Sequence, residues 1–148
     1  MRGLDYYSPW YHQAPVIHIS LGLLIFALML IRILWRARNQ TPARINTIST
    51  QTHLAASLVK ILLYVFTFII CLSGYLITTA EGQPAHFFEL LSIPAVFELN
   101  ASFVDLAGAT HKYVAWGIIG LALLHGSAAL FHHFIKRDAT LLRMLNPK

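Results

Sequence analysis

A chain of 148 residues that is 57% hydrophobic and only 11% charged falls well short of the roughly one-quarter charged content of a soluble domain, which places it among membrane proteins. The formal charge of +5 comes without a basic stripe interleaved with aromatics, so nucleic acid is excluded as a partner. The arginines stand instead beside hydrophobic runs, where cations anchor membrane segments.

A membrane-crossing helix needs roughly 20 mainly apolar residues, and three runs supply them. The first run extends from about Val16 to Leu34, with its charge, Arg32, near one end. Pro15 suits the first turn of that helix, where a missing N–H costs nothing. Asn39, Gln40, Thr41 and Pro42 then form a polar break. The second run extends from about Leu54 to Ile77 and carries Lys60 in its second turn. The connection from Thr78 to Thr110 holds Glu81, Glu89, Glu98 and Asp105 but no Lys or Arg. Its two proline-broken apolar stretches, Phe87 to Ile93 and Val96 to Leu99, read as short helices lying at the interface. The third run extends from about Tyr113 to Ile135 and contains no Asp, Glu, Lys or Arg. The expected organisation is one all-α membrane domain over 1–148, a transmembrane bundle with spans at about 16–36, 54–78 and 111–135.

Cationic residues set the expected orientation. Arg36, Arg38 and Arg44 belong to the first linker, with Arg32 at its edge, and Lys136, Arg137, Arg143 and Lys148 to the tail. By the positive-inside rule, the 33–53 linker and the C-terminus are cytoplasmic and the acidic connection faces outward. That leaves Met1 to Ala14 outside without a preceding helix or signal peptide to carry it there. Either this short segment translocates unaided, or a helix upstream is missing from the chain.

Eight histidines are many for so apolar a chain, and an ionisable residue at membrane depth marks a functional site by default. His111 and His125 are fourteen residues apart, close to four helical turns, so they share a helix face about 21 Å apart along the axis. Two haems stacked across a membrane need axial ligands at such spacing. His18, at the outer start of the first span, shares the depth of His111, and two helices each offering an imidazole at one level can bind one iron from both sides. Gly22 and Gly117 would leave room for a flat macrocycle, although small residues equally allow plain helix packing. For His18 taken alone, a hydrogen bond to a neighbouring helix is an equal alternative. His132 and His133 read as interfacial, with a quinone or propionate contact as the minority reading, and His12, His53 and His86 as interfacial polar residues at span ends or in the outer connection. The single cysteine, Cys71, excludes a C-x-x-C-H attachment, so any haem would be b-type.

The run His111-Lys-Tyr-Val-Ala-Trp-Gly117, continued by Leu124-His125-Gly-Ser-Ala-Ala-Leu-Phe-His132-His133-Phe and Lys136-Arg-Asp138-Ala-Thr140-Leu-Leu-Arg143-Met144, resembles the last helix and tail of bacterial cytochrome b561. Tyr6 to Gly22 resembles the approach to that family's second helix, and Ser73 to Gly82 the end of its third. The resemblance implies a four-helix bundle with two b haems that exchanges electrons with the quinone pool, and a bacterial inner-membrane location. It implies that His18 and His111 are axial ligands to the iron of an outer haem, and that His125 is one ligand to an inner haem. The family's other inner ligand sits on a first helix with no counterpart here, which favours the missing-helix account and leaves one outer haem expected. His53 is too shallow to replace that ligand. Lys60 falls where relatives can carry a histidine and takes no ligand role.

The function expected is therefore electron transfer between an outer-face redox partner and membrane quinone (ubiquinone) by a lipid-embedded carrier with no catalytic side chain. Lys112, Arg32, Arg36 and Lys136 are candidate counter-charges for haem propionates, or equally membrane anchors. The quinone is expected near His132. Two alternatives belong to other classes: a superoxide oxidase with quinone as acceptor, and a cytochrome b subunit anchoring a dehydrogenase- or hydrogenase-like partner.

Overall fold

The computed structural model describes residues 7–8, 10–39, 49–88 and 90–138. The expectations resting on Tyr6, Gln40 to Arg44, Glu89, Thr140, Arg143, Met144 and Lys148 lie outside these. Among the described residues, three helices are long and apolar enough to cross a membrane. They are α1 (Trp10–Arg38), α2 (Thr50–Thr78) and α3 (Ala101–Phe131); α3 continues into a π-helical turn, His132–Lys136. Large apolar side chains stay exposed along all three, such as Ile31 at 61%, Ile61 at 59% and Leu123 at 66%. That much exposed apolar surface suits a lipid surround.

Helix boundaries follow local chemistry. Ser49 caps α2 by accepting from the Thr52 N–H, and Asn100 caps α3 by accepting from the Phe103 N–H, each satisfying a donor that the first turn leaves unpaired. At α1, the Ser8 hydroxyl accepts from the Trp10 N–H at 3.3 Å and the Ser8 carbonyl from the Tyr11 N–H. This cap starts the helix at Trp10, so Pro15 lies inside it and not in its first turn as expected. There the ring nitrogen cannot donate to the Tyr11 carbonyl one turn earlier.

The outer connection also departs from expectation. Phe87 to Ile93 forms no interfacial helix. Instead Ala85–Phe87 (β1) and Leu91–Ile93 (β2) pair antiparallel, with His86 opposite Ser92. Val96 to Leu99 is not helical either. It is tied across the end of α2: Tyr75 donates to the Pro94 carbonyl at 2.6 Å, Val96 N–H donates to Tyr75, and Leu99 N–H donates to the Ala80 carbonyl. Short apolar runs have no decisive period, and here the tertiary bonds decide.

The hairpin docks on α1 through Ser20, which is fully buried. Its hydroxyl accepts from the Phe88 N–H at 2.8 Å and lies 3.5 Å from the His86 carbonyl. Ser20→Ala leaves that amide without its partner, a loss of about 1–3 kcal/mol. Hydrogen exchange of the 85–93 amides should therefore accelerate roughly tenfold or more, while α2 amides keep their rates. Unchanged hairpin exchange would show that Ser20 does not hold it.

Helix α2 lies between the other two. It meets α1 through the Phe26 and Phe68 rings, 5.8 Å apart, and through the Cys71 thiol, which donates to the Gly22 carbonyl. It meets α3 where Phe66 covers Gly117 and where His111 seats on Ser73 and Gly74. The starts of α1 and α3 and the end of α2 thus share one level, under the hairpin.

Candidate haem site

Of the three proposed ligands, the fold brings two together. His18, in the third turn of α1, and His111, in the third turn of α3, have ring centroids 5.9 Å apart with planes at 72°. With metal–imidazole bonds of about 2 Å, two rings facing one ion would have centroids about 6 Å apart. His125 stays apart, since fourteen helical residues separate it from His111 by about 21 Å.

The His111 ring is held from α2. Its Nδ1 lies 3.0 Å from the Ile70 carbonyl and 3.2 Å from the Ser73 hydroxyl, and Ser73 itself donates to Ile70 O at 3.1 Å. A carbonyl only accepts, so Nδ1 carries the proton, and Nε2 keeps its lone pair for a metal. Fixing one ring nitrogen on a carbonyl is how metal-ligating histidines are usually oriented. Ser73, 5% exposed, can do this because Gly74 follows it. A Cβ at Gly74 would sit 3.0 Å from His111 Cε1.

Space for a macrocycle is unequal on the two faces. Gly22, one turn beyond His18, has no heavy atom within 4 Å of where a Cβ would be, which keeps that face of α1 open. Gly117 does not: its missing Cβ would meet the Phe66 ring at 2.6 Å, so this glycine serves helix packing. A b haem fits the donor set and the open α1 face.

The remaining candidates scatter. Arg32 and Arg36 lie about 21 and 27 Å along α1 from His18, so they cannot serve a macrocycle centred between His18 and His111. Arg32 Nε donates to Tyr64 Oη at 2.8 Å, and the Arg36 guanidinium lies 6.0 Å from the Tyr64 ring centroid. Lys112 lies 5.6 Å from the Tyr113 ring centroid. His132, in the π-helical turn, has its Nδ1 2.5 Å from Asp138 Oδ2, and His86 pairs with Ser92 at 3.1 Å. The Ile70–Ser73 seat was missed in the sequence, although Ser73-Gly74 at the level of His18 and His111 was its signal.

A family model described as prokaryotic cytochrome b561 matches residues 1–147. The chain is 43% identical over 145 residues to cytochrome b561 homolog 2 of Escherichia coli (strain K12), across 98% of this chain and 77% of the relative. It is 32% identical over 130 residues to cytochrome b561 homolog 1 of the same organism, across 86% and 72%. It is also 32% identical over 145 residues to the probable superoxide oxidase CybB of Yersinia pestis, across 96% and 78%.

Proposed function

The chain belongs to the prokaryotic cytochrome b561 family, and from that premise we propose a one-electron carrier of the bacterial inner membrane in which His18 and His111 are the axial ligands of an outer b haem. Members of the family are membrane electron-transfer proteins that bind haem b, so the proposal concerns which residues of this chain do it and with what partners. The observation that carries it is the 5.9 Å approach of the two rings.

The haem, when bound, supplies the redox couple; the side chains set where and how it sits. His111 is held with Nε2 forward by Ile70 O and Ser73. His18 comes from α1, which α2 holds one turn further on through the Cys71 thiol and the Gly22 carbonyl, and it offers the second imidazole to the site. The bilayer around the bundle restricts water at the level of both imidazoles. His125 is assigned to a second level, about 21 Å toward the basic ends, and counting haem per chain decides whether that level is filled.

Quinone is the proposed membrane partner, taken up near the π-helical turn. There Asp138 accepts from His132 Nδ1, leaving Nε2 to give or take the proton that accompanies quinone reduction. Arg36, Arg38 and Lys136 support a cytoplasmic location for that end by the positive-inside rule.

The test is electron exchange by the purified chain. Dithionite-reduced haem should reoxidise with added ubiquinone, and ubiquinol should reduce the oxidised form. A protein with a Soret band but no exchange with either would end the quinone reading. A second reading, superoxide oxidation with quinone as acceptor, is favoured by the 32% identity to a probable superoxide oxidase. It requires rapid haem reduction by superoxide, and slow or absent reduction removes it.

A further inference from the structure

At the end of the bundle remote from His18 and His111, three cations converge, and no acidic side chain is among the described residues lining the cavity between them. Arg36 from α1 and Lys60 from α2 line one cavity of about 310 Å³, with Ser57 and Tyr64 as its other polar walls and Ile33 and Ile61 as apolar ones. Arg32 joins them by donating to Tyr64 Oη. Neither α1 nor α2 contains an Asp or Glu. Like charges gathered beside an apolar surround are unfavourable unless something anionic answers them.

The position of the cavity narrows what that is. Tyr64 lies nine residues before Ser73, about 14 Å along α2 from the level of His111. At about 100° per residue, Tyr64 and Ile61 lie about 160° and 140° round the axis from Phe66, which packs on Gly117 of α3. The cavity therefore opens on the side of α2 away from α3, and Ile61 is 59% exposed there. A soluble anion would meet hydrocarbon beside it. An amphiphile satisfies both halves.

We propose that this groove holds one anionic phospholipid of the leaflet nearer the 39–49 linker, its phosphate between Arg36 and Lys60 and its acyl chains along Ile33 and Ile61. Basic pockets between membrane helices recognise acidic headgroups in this way. Tyr64 is the positioning residue: Arg32 fixes its hydroxyl and Arg36 lies over its ring, which sets the width between the two phosphate-binding cations.

The experiment is native mass spectrometry of the full chain in detergent, titrated with phosphatidylglycerol and phosphatidylcholine of matched acyl chains. The expected result is one tightly retained phosphatidylglycerol per chain. Each cation lost should cost about fivefold, so Arg36→Gln with Lys60→Gln reduces the preference roughly thirtyfold. The charge-conserving pair Arg36→Lys with Lys60→Arg should keep it, which separates lost charge from lost folding. Equal retention of both lipids by the wild type, or undiminished preference in the neutral pair, overturns the proposal. Haem loss in the neutral pair with helicity intact would assign the cations to the cofactor, and a dimer that dissociates would assign them to a second copy; either also overturns it.

Discussion

His111→Ala is expected to abolish haem retention at the outer site and to loosen the bundle, whereas His18→Ala abolishes retention alone. Both remove an axial ligand, and a b haem held by ligation and packing cannot keep its place on one imidazole beside an open helix face. The two differ in what else the ring does. His111 lies within hydrogen-bond reach of Ile70 O and Ser73, against Gly74, so truncation removes an α2–α3 bond and leaves a void beside a buried hydroxyl. That loss is about 1–3 kcal/mol. His18 meets α3 through the His111 ring contact, so its truncation should leave apoprotein stability nearly unchanged. The measurements are haem per chain from the Soret band and apoprotein unfolding in the same detergent. Added imidazole should restore the band more fully in His18→Ala, where the cavity is open. Wild-type haem content in both variants would remove the pair from its proposed role, and His125→Ala provides the contrast, since it should leave this site filled.

Much of this architecture was legible in residue order. Long apolar runs bounded by arginines specify spans through length and composition alone, and all three runs fall within helices. The meeting of His18 and His111 was also legible, because the first and third helices of an alternating bundle begin at the same level. What escaped depends on azimuth and on partners distant in sequence. Whether Gly22 or Gly117 leaves space cannot be read without the rotation of α2, which brings Phe66 onto the second and nothing onto the first. The Ile70 carbonyl carries no side-chain signal at all, yet it is closest to His111 Nδ1. Ser20 looks like any small residue in an apolar helix until the hairpin supplies the Phe88 amide. The apolar stretch Phe87 to Ile93 is too short for period to separate strand from helix.

Gly117→Ala should be the most destabilising single-methyl substitution among the α3 glycines. The added Cβ would lie 2.6 Å from Phe66 Cε2 and 3.1 Å from Cδ2, and an aromatic ring has no flexible end to swing away, so the helices must separate. Overpacking of this kind costs about 1–3 kcal/mol. Gly108, Gly120 and Gly126 have nothing within 4 Å of the same position. Ala there should be neutral or stabilising by about 0.5–1 kcal/mol, the ordinary helix-propensity gain. The discriminating experiment is a cycle with Phe66→Leu, whose shorter side chain gives the methyl room: the double variant should recover most of the Gly117→Ala loss, a coupling expected only for residues in contact. Haem content reports a second effect. Gly117 lies six residues, about 9 Å, along α3 from His111, so a shift of α3 against α2 moves His111 off Ile70 and away from the His18 level. Haem affinity should fall in Gly117→Ala and return with Phe66→Leu. If Gly117→Ala unfolds like Gly120→Ala, the close α2–α3 approach does not set the position of His111, and the Ile70–Ser73 seat must hold it alone.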